Sequence, residues 1–154
     1  MVSKAISFCL MLFIWQLSFG QNVGVGSSLF ADFDGDYSRE YAFVVQTKQP
    51  TIDSLGKVSG GEYKVIFSVG SLGEIEIGCC ELKLVLEGDL TNDGSTELSV
   101  YKTTGSTQTL TTYSYVNSHW QIIIPVFTLA ESSTPLTESE IQNSVYSENG
   151  EIYY

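Results

Sequence analysis

Residues 32–40 read Asp-Phe-Asp-Gly-Asp-Tyr-Ser-Arg-Glu, and residues 89–97 read Asp-Leu-Thr-Asn-Asp-Gly-Ser-Thr-Glu. The two stretches align without a gap at an offset of 57 residues. Positions one, five and nine are acidic in both, position two is aromatic or apolar, and a β-rich run follows at once in both. Self-similarity at a fixed spacing marks an architecture built more than once. Each unit reads as a four-stranded meander introduced by an acidic loop, with pseudo-repeats at residues 31–87 and 88–154.

The runs around these loops are strands. Tyr63-Lys64-Val65-Ile66-Phe67 and Glu74-Ile75-Glu76-Ile77 alternate in character, and Tyr41–Val45, Leu82–Leu86 and Leu98–Tyr101 are β-branched or apolar. Thr109–Val116 puts Leu, Thr, Ser and Val on one face and Thr and Tyr on the other. Trp120–Phe127 carries Pro125, which suits an edge strand or its end. Gly, Asn, Asp and Ser fill the gaps, the spacing of antiparallel β structure. Helical signals wait until Thr137-Glu138-Ser139-Glu140, a capping box, which predicts a short helix over about Glu138 to Tyr146 with Ile141 and Val145 facing the core. Asn149-Gly150 then predicts a turn into a last strand, Glu151–Tyr154. The expected fold is mainly β: antiparallel sheets, as a small β-sandwich or two propeller-blade-like meanders, with one short C-terminal helix.

The first twenty residues stand apart. Lys4 precedes an almost wholly apolar run, Ala5 to Leu17, and Ser18-Phe19-Gly20 places small residues at −3 and −1 of a cleavage before Gln21. This is the pattern of a secretory signal peptide, residues 1–20, and the apolar run is shorter than a bilayer span. Residues 21–154 then form a single domain, secreted or periplasmic, with no membrane span after cleavage. Hydrophobic residues at 43% are enough for a packed core. Seven Lys and Arg against 18 Asp and Glu leave a formal charge of −11 and no basic cluster, which excludes a nucleic-acid binder. Export means an oxidising compartment. Cys79 and Cys80 are adjacent, however, and neighbouring Cα atoms about 3.8 Å apart are closer than the usual disulfide range. Two reduced or partly buried thiols are therefore expected, with a strained vicinal disulfide, a redox switch or an intermolecular bridge as the alternatives.

The acidic loops carry the chemistry. In the first, Asp32, Asp34, Asp36 and Glu40 offer carboxylates and Ser38 a backbone carbonyl. In the second, Asp89, Asp93 and Glu97 offer carboxylates, Thr91 a hydroxyl and Ser95 a carbonyl. Like charges this close repel unless a cation lies among them. Calcium takes six to eight hard oxygens in irregular geometry, whereas magnesium resists dehydration. Two Ca2+ sites are the expectation, each tying a loop to the start of a strand. Gly94 supplies a positive-φ position in the second loop; Tyr37 stands there in the first, at a backbone cost of about 1 kcal/mol.

At these residues the chain resembles the calcium loops of FG-GAP/VCBS-type repeats, the integrin-like β-propeller blades. Residues 32–40 and, above all, Gly88–Tyr101 (GDLTNDGSTELSVY) carry the resemblance, which covers roughly residues 31–101. Tyr37 departs from the pattern's Gly, and Thr91 from its usual Asn or Asp. The order EGDLTNDGSTELSVY, TTYSYVNSHWQ, short helix, aromatic strand is also similar to small secreted proteins of Bacteroidetes-type bacteria. The resemblance implies calcium-bound blades. Closing a propeller takes about four or more of them, so two predict a self-contained β domain.

No catalytic constellation stands out. A nucleophile triad needs a His, and His119 is the only one, at a strand start. The expected function is an exported, calcium-stabilised binding module without catalytic activity, contacting an extracellular or periplasmic protein or glycan. Tyr113, Tyr115 and Trp120 fall together in one hairpin. They can form an aromatic platform or pack across strands. The alternative is a periplasmic inhibitor or immunity protein against a lysozyme-type cell-wall hydrolase, since an acidic surface suits a basic partner.

Overall fold

Residues 107–116 show how the alternation is used. Gln108, Leu110, Thr112 and Ser114 are buried on one face of their strand, while Tyr113 and Tyr115 project from the other and pack on a separate core. The sheet containing them is covered on both sides, and the chain is layered about it. The computed structural model describes residues 22–23, 28–52, 54, 58–79 and 81–154. The expected leader, residues 1–20, and its cleavage before Gln21 lie outside the described residues. No helix among those described is long and apolar enough to cross a membrane.

The strands are β1 (Asn22–Val23), β2 (Ser28–Ala31), β3 (Glu40–Lys48), β4 (Thr51–Ile52), β5 (Val58–Ser59), β6 (Glu62–Phe67), β7 (Glu74–Gly78), β8 (Glu81–Gly88), β9 (Glu97–Thr104), β10 (Thr107–Val116) and β11 (His119–Glu131). Helix α1 (Glu138–Gln142) and the hairpin β12 (Tyr146–Glu148) and β13 (Glu151–Tyr153) complete the order. One sheet runs β2-β3-β6-β7 and the other β1-β8-β9-β10-β11, all antiparallel, with β4–β5 a separate hairpin. Each sheet thus contains a four-stranded meander. The acidic loop joins its first and second strands, β2 to β3 and β8 to β9. Strand β8, which the repeat bounds place in the first unit, is the first strand of the second sheet's meander.

Two cores follow from this layering. Leu29, Ala42, Val44 and Val65 of the four-stranded sheet meet Leu82, Leu84, Leu98 and Val100 of the five-stranded one. The fold is therefore mainly β, a sandwich of two blade-like meanders and no closed barrel. On the far face of the five-stranded sheet, Val85, Tyr101, Leu110 and Ile124 are covered by Ile141 and Val145 of the C-terminal segment. Burial of this kind contributes roughly 25 cal/mol per Å² of apolar surface.

Helix α1 starts as its capping box demands: the Glu140 N–H donates to the Thr137 hydroxyl at 3.3 Å, and the Thr137 N–H to Glu140 Oε2 at 2.8 Å. It ends at Gln142 and not near Tyr146 as expected. Asn143 and Ser144 compete with the helical ladder; the Ser144 hydroxyl takes the Glu140 carbonyl at 2.7 Å. Val145 still reaches the core from beyond the helix. Asn149 and Gly150, with φ of 53° and 82°, make the expected hairpin turn, since both central positions of a type I′ turn need positive φ. Cys79 is disulfide-bonded, which corrects the expectation of a reduced thiol there; Cys80 lies outside the described residues.

Candidate metal centres

The two acidic loops fold alike. In each, the second residue is an apolar anchor, Phe33 or Leu90, both buried. Its N–H donates to the glutamate at the ninth position: Phe33 to Glu40 Oε2 at 3.1 Å, Leu90 to Glu97 Oε2 at 2.5 Å. The first aspartate gathers N–H groups from inside the turn. Asp32 accepts from Gly35 and Tyr37, both at 2.8 Å, and Asp89 from Asp93 at 3.1 Å and Gly94 at 3.0 Å. The fifth residue accepts from the seventh, Ser38 to Asp36 at 2.7 Å and Ser95 to Asp93 at 2.9 Å. The fourth and sixth positions are left-handed in both loops, with φ of 75° at Gly35, 68° at Tyr37, 59° at Asn92 and 94° at Gly94. Tyr37 therefore keeps the turn and bears its strain, with its side chain 97% exposed.

These turns draw carboxylates together. Asp32, Asp34 and Glu40 present oxygens within 4.8 Å of one another, and so do Asp89, Asp93 and Glu97. Of the other expected ligands, Asp36 lies outside the first group and holds the Ser38 N–H. The Thr91 hydroxyl donates to Glu97 Oε1 at 3.0 Å, beside the second group, while that of Ser95 is engaged with Asp93 at 2.5 Å.

The electrostatics leave these groups short of positive charge. Burial pushes the Glu40 carboxyl up, and the charges of Asp34, Asp32 and Asp36 push it the same way against the Phe33 N–H. Burial likewise raises Glu97, helped by Asp93 and opposed by Leu90, Ser114 and Thr91. Burial works against ionising Asp93 too, but the Ser95 hydroxyl and N–H outweigh it and hold that carboxyl below its ordinary value. Next to the second loop, burial pushes Glu87 up to about 7, with the Glu97 charge adding to it and nearby Ser99 opposing it. A cation among such carboxylates restores the favoured state of each. Every donor atom is a hard oxygen, which fits calcium and leaves no soft ligand for a transition metal.

The loops also touch. The Thr96 N–H donates to the Asp32 carbonyl at 2.7 Å. A Cβ on Gly35 would stand 3.5 Å from the Gly94 carbonyl carbon and the Ser95 nitrogen. The two groups are therefore held by one backbone junction at the same end of the sandwich.

The aromatic platform takes a different form from the one expected. Trp120 stacks on Phe67 at 4.8 Å and 15°, meets the edge of Phe33 at 6.1 Å, and donates from Nε1 to the Leu72 carbonyl at 2.9 Å. Tyr115 packs beside it and donates to the Ser71 carbonyl at 2.8 Å. Tyr113 joins the same core. Of the two roles expected for Tyr113, Tyr115 and Trp120, these contacts are those of packing: all three rings are partly buried against the core between the sheets. Among the rings in solvent, which include Tyr37, Tyr146, Tyr153 and Tyr154, Phe30 and Tyr41 are 42% and 45% exposed and 4.5 Å apart across β2 and β3, with the Arg39 guanidinium 6.0 Å from the Phe30 ring. The alternation Phe30, Tyr41, Phe43 marks this outer face in the sequence. His119 is exposed, its ring beside the Asn117 carbonyl and the Gln121 amide.

No protein-family model, curated protein or solved structure matches the chain.

Proposed function

We propose that this chain is an exported interaction module of FG-GAP/VCBS type whose two acidic loops each hold a calcium ion, and that it binds a protein or glycan without catalysing a reaction. One observation carries the reading. Two loops 57 residues apart repeat the same positive-φ positions and the same first-aspartate and ninth-glutamate roles, and each closes three carboxylates to within 4.8 Å. A turn motif that only reversed the chain would not need a buried glutamate in both copies. The ion's part is structural: it offsets carboxylate repulsion and fixes the loop that launches β3 or β9. The contact face best supported is the outer side of the four-stranded sheet, where Phe30, Tyr41 and Arg39 supply residue types that carry binding energy at interfaces.

Equilibrium dialysis with radioactive calcium tests the reading. Two ions per chain are expected at millimolar calcium, with affinities on the order of 10⁻⁴–10⁻³ M or tighter. Asp32→Asn and Asp89→Asn should each remove one ion. A chain that retains no calcium at 10 mM, or variants that bind as the wild type does, would overturn it.

A further inference from the structure

We propose that the second calcium site is completed from outside its loop by Glu87 of β8 and Ser114 of β10, and that it is thereby the tighter of the two. This rests on the calcium reading above and names the residues that set relative affinity within it.

Glu87 is the extra residue of a β-bulge. Leu86 faces Leu98 and Gly88 faces Glu97, so β8 advances two residues where β9 advances one. Bulges re-aim side chains and recur beside functional sites. This one places Glu87 next to the Gly88–Glu97 pair, within reach of the Glu97 charge and outside the three residues whose oxygens lie within 4.8 Å of one another. Both Glu87 carboxyl oxygens are buried and outside strict hydrogen-bonding geometry, with the Ser99 hydroxyl nearby. On the other flank, Ser114 follows the Tyr113–Leu98 pair and stands beside Glu97. It is wholly buried; its hydroxyl lies near enough to Glu97 to oppose the rise in that carboxyl but outside strict hydrogen-bonding geometry. From above, Gln142 of α1 donates to the Leu86 carbonyl at 2.9 Å and leaves its own Oε1 buried and unpartnered.

All four orphaned atoms are oxygens; Gln142 Oε1 only accepts, and the two Glu87 oxygens only accept while that carboxyl is ionised. The ion pairs among the described residues, Lys48–Glu62 and Lys64–Glu74, lie elsewhere. A buried water can donate to such atoms and a proton can neutralise Glu87, but neither offsets the charge of Glu87 and Glu97 when both are ionised. A divalent cation does both, and calcium's demand for six to eight oxygens is more than the loop's own carboxylates supply. Among the described residues the first site has no such supplement: at the repeat offset, the counterpart of Glu87 is Phe30, which faces solvent.

Isothermal titration of the full chain with calcium chloride tests this. The wild type should show two unequal sites. Glu87→Gln keeps the shape and removes the charge; it should weaken the tighter site about tenfold or more and leave the weaker one within about twofold. In EDTA its melting temperature should not fall, because the substitution removes a buried repulsion, so a loss of affinity cannot be put down to misfolding. Ser114→Ala should weaken the same site by less. Two equal wild-type sites, or a Glu87→Gln chain with both affinities within about twofold of the wild type, would overturn the inference and leave the calcium reading standing. A wild type that binds no calcium overturns both.

Discussion

Trp120→Ala is expected to cost about 4 kcal/mol of folding stability, within the range for truncating a large aromatic packed on a core; Trp120 is partly buried against it. At roughly 3 °C per kcal/mol for a chain of this size, that lowers the melting temperature by about 12 °C. Trp120 lies where the five-stranded sheet meets the four-stranded one. It stacks on Phe67, meets Phe33 from the first acidic loop, and caps the Leu72 carbonyl. Removal opens a cavity between the sheets, frees a buried carbonyl and loosens the anchor that seats the Asp32 turn. Urea unfolding of the variant checks the figure through the shift in midpoint at unchanged slope. A ring serving only as a binding platform would leave stability within about 0.5 kcal/mol, and that outcome would return Trp120 to the surface role.

Gln108→Ala is the second large effect, about 3 kcal/mol. The side chain is wholly buried and works at both ends. Its Nε2 donates to the Ser132 and Thr134 carbonyls at 2.8 Å each, and its Oε1 accepts from the Leu136 N–H at 2.9 Å and from the Tyr101 hydroxyl. One residue thus ties the segment after β11 to the sheet that α1 and the last hairpin cover. Leaving those groups buried without partners costs more than the mean worth of the hydrogen bonds. Gln108→Leu should recover packing but not the polar groups, and stay destabilised by about 2 kcal/mol. Amide hydrogen exchange gives the local readout: protection at Ile141 should fall before that at Val100. Equal loss at both, or none, would contradict a tether role.

Much of this was legible in the sequence because it is local. Alternation at residues 63–67 and 109–116 needs only the two-residue period of a strand. The capping box at Thr137 and the Asn149-Gly150 turn are short-range chemistry. The acidic repeat was readable for the same reason, since a loop's first aspartate and ninth glutamate are fixed by its own turn. What escaped is set across strands. Alternation says that Tyr113 and Tyr115 share a face; it does not say that a second sheet lies over that face. Strand β2 is four residues long and leaves a weak periodic signal before Asp32. Glu87 reads as one more acid in a charged strand until the bulge opposite Glu97 turns it inward. The length of α1 depends on Ser144 capturing a carbonyl, a choice that an i,i+4 pattern does not reveal.

The proposed calcium sites are two clusters of partly buried carboxylates, which a bound divalent ion would stabilise. Thermal melts of the purified protein in millimolar calcium and in EDTA, at one ionic strength, test that most directly. Each occupied site adds about 1 kcal/mol or more, so calcium should raise the melting temperature by roughly 5 °C or more, with the gain reduced in Asp89→Asn. Coincident melts with and without calcium would contradict the account.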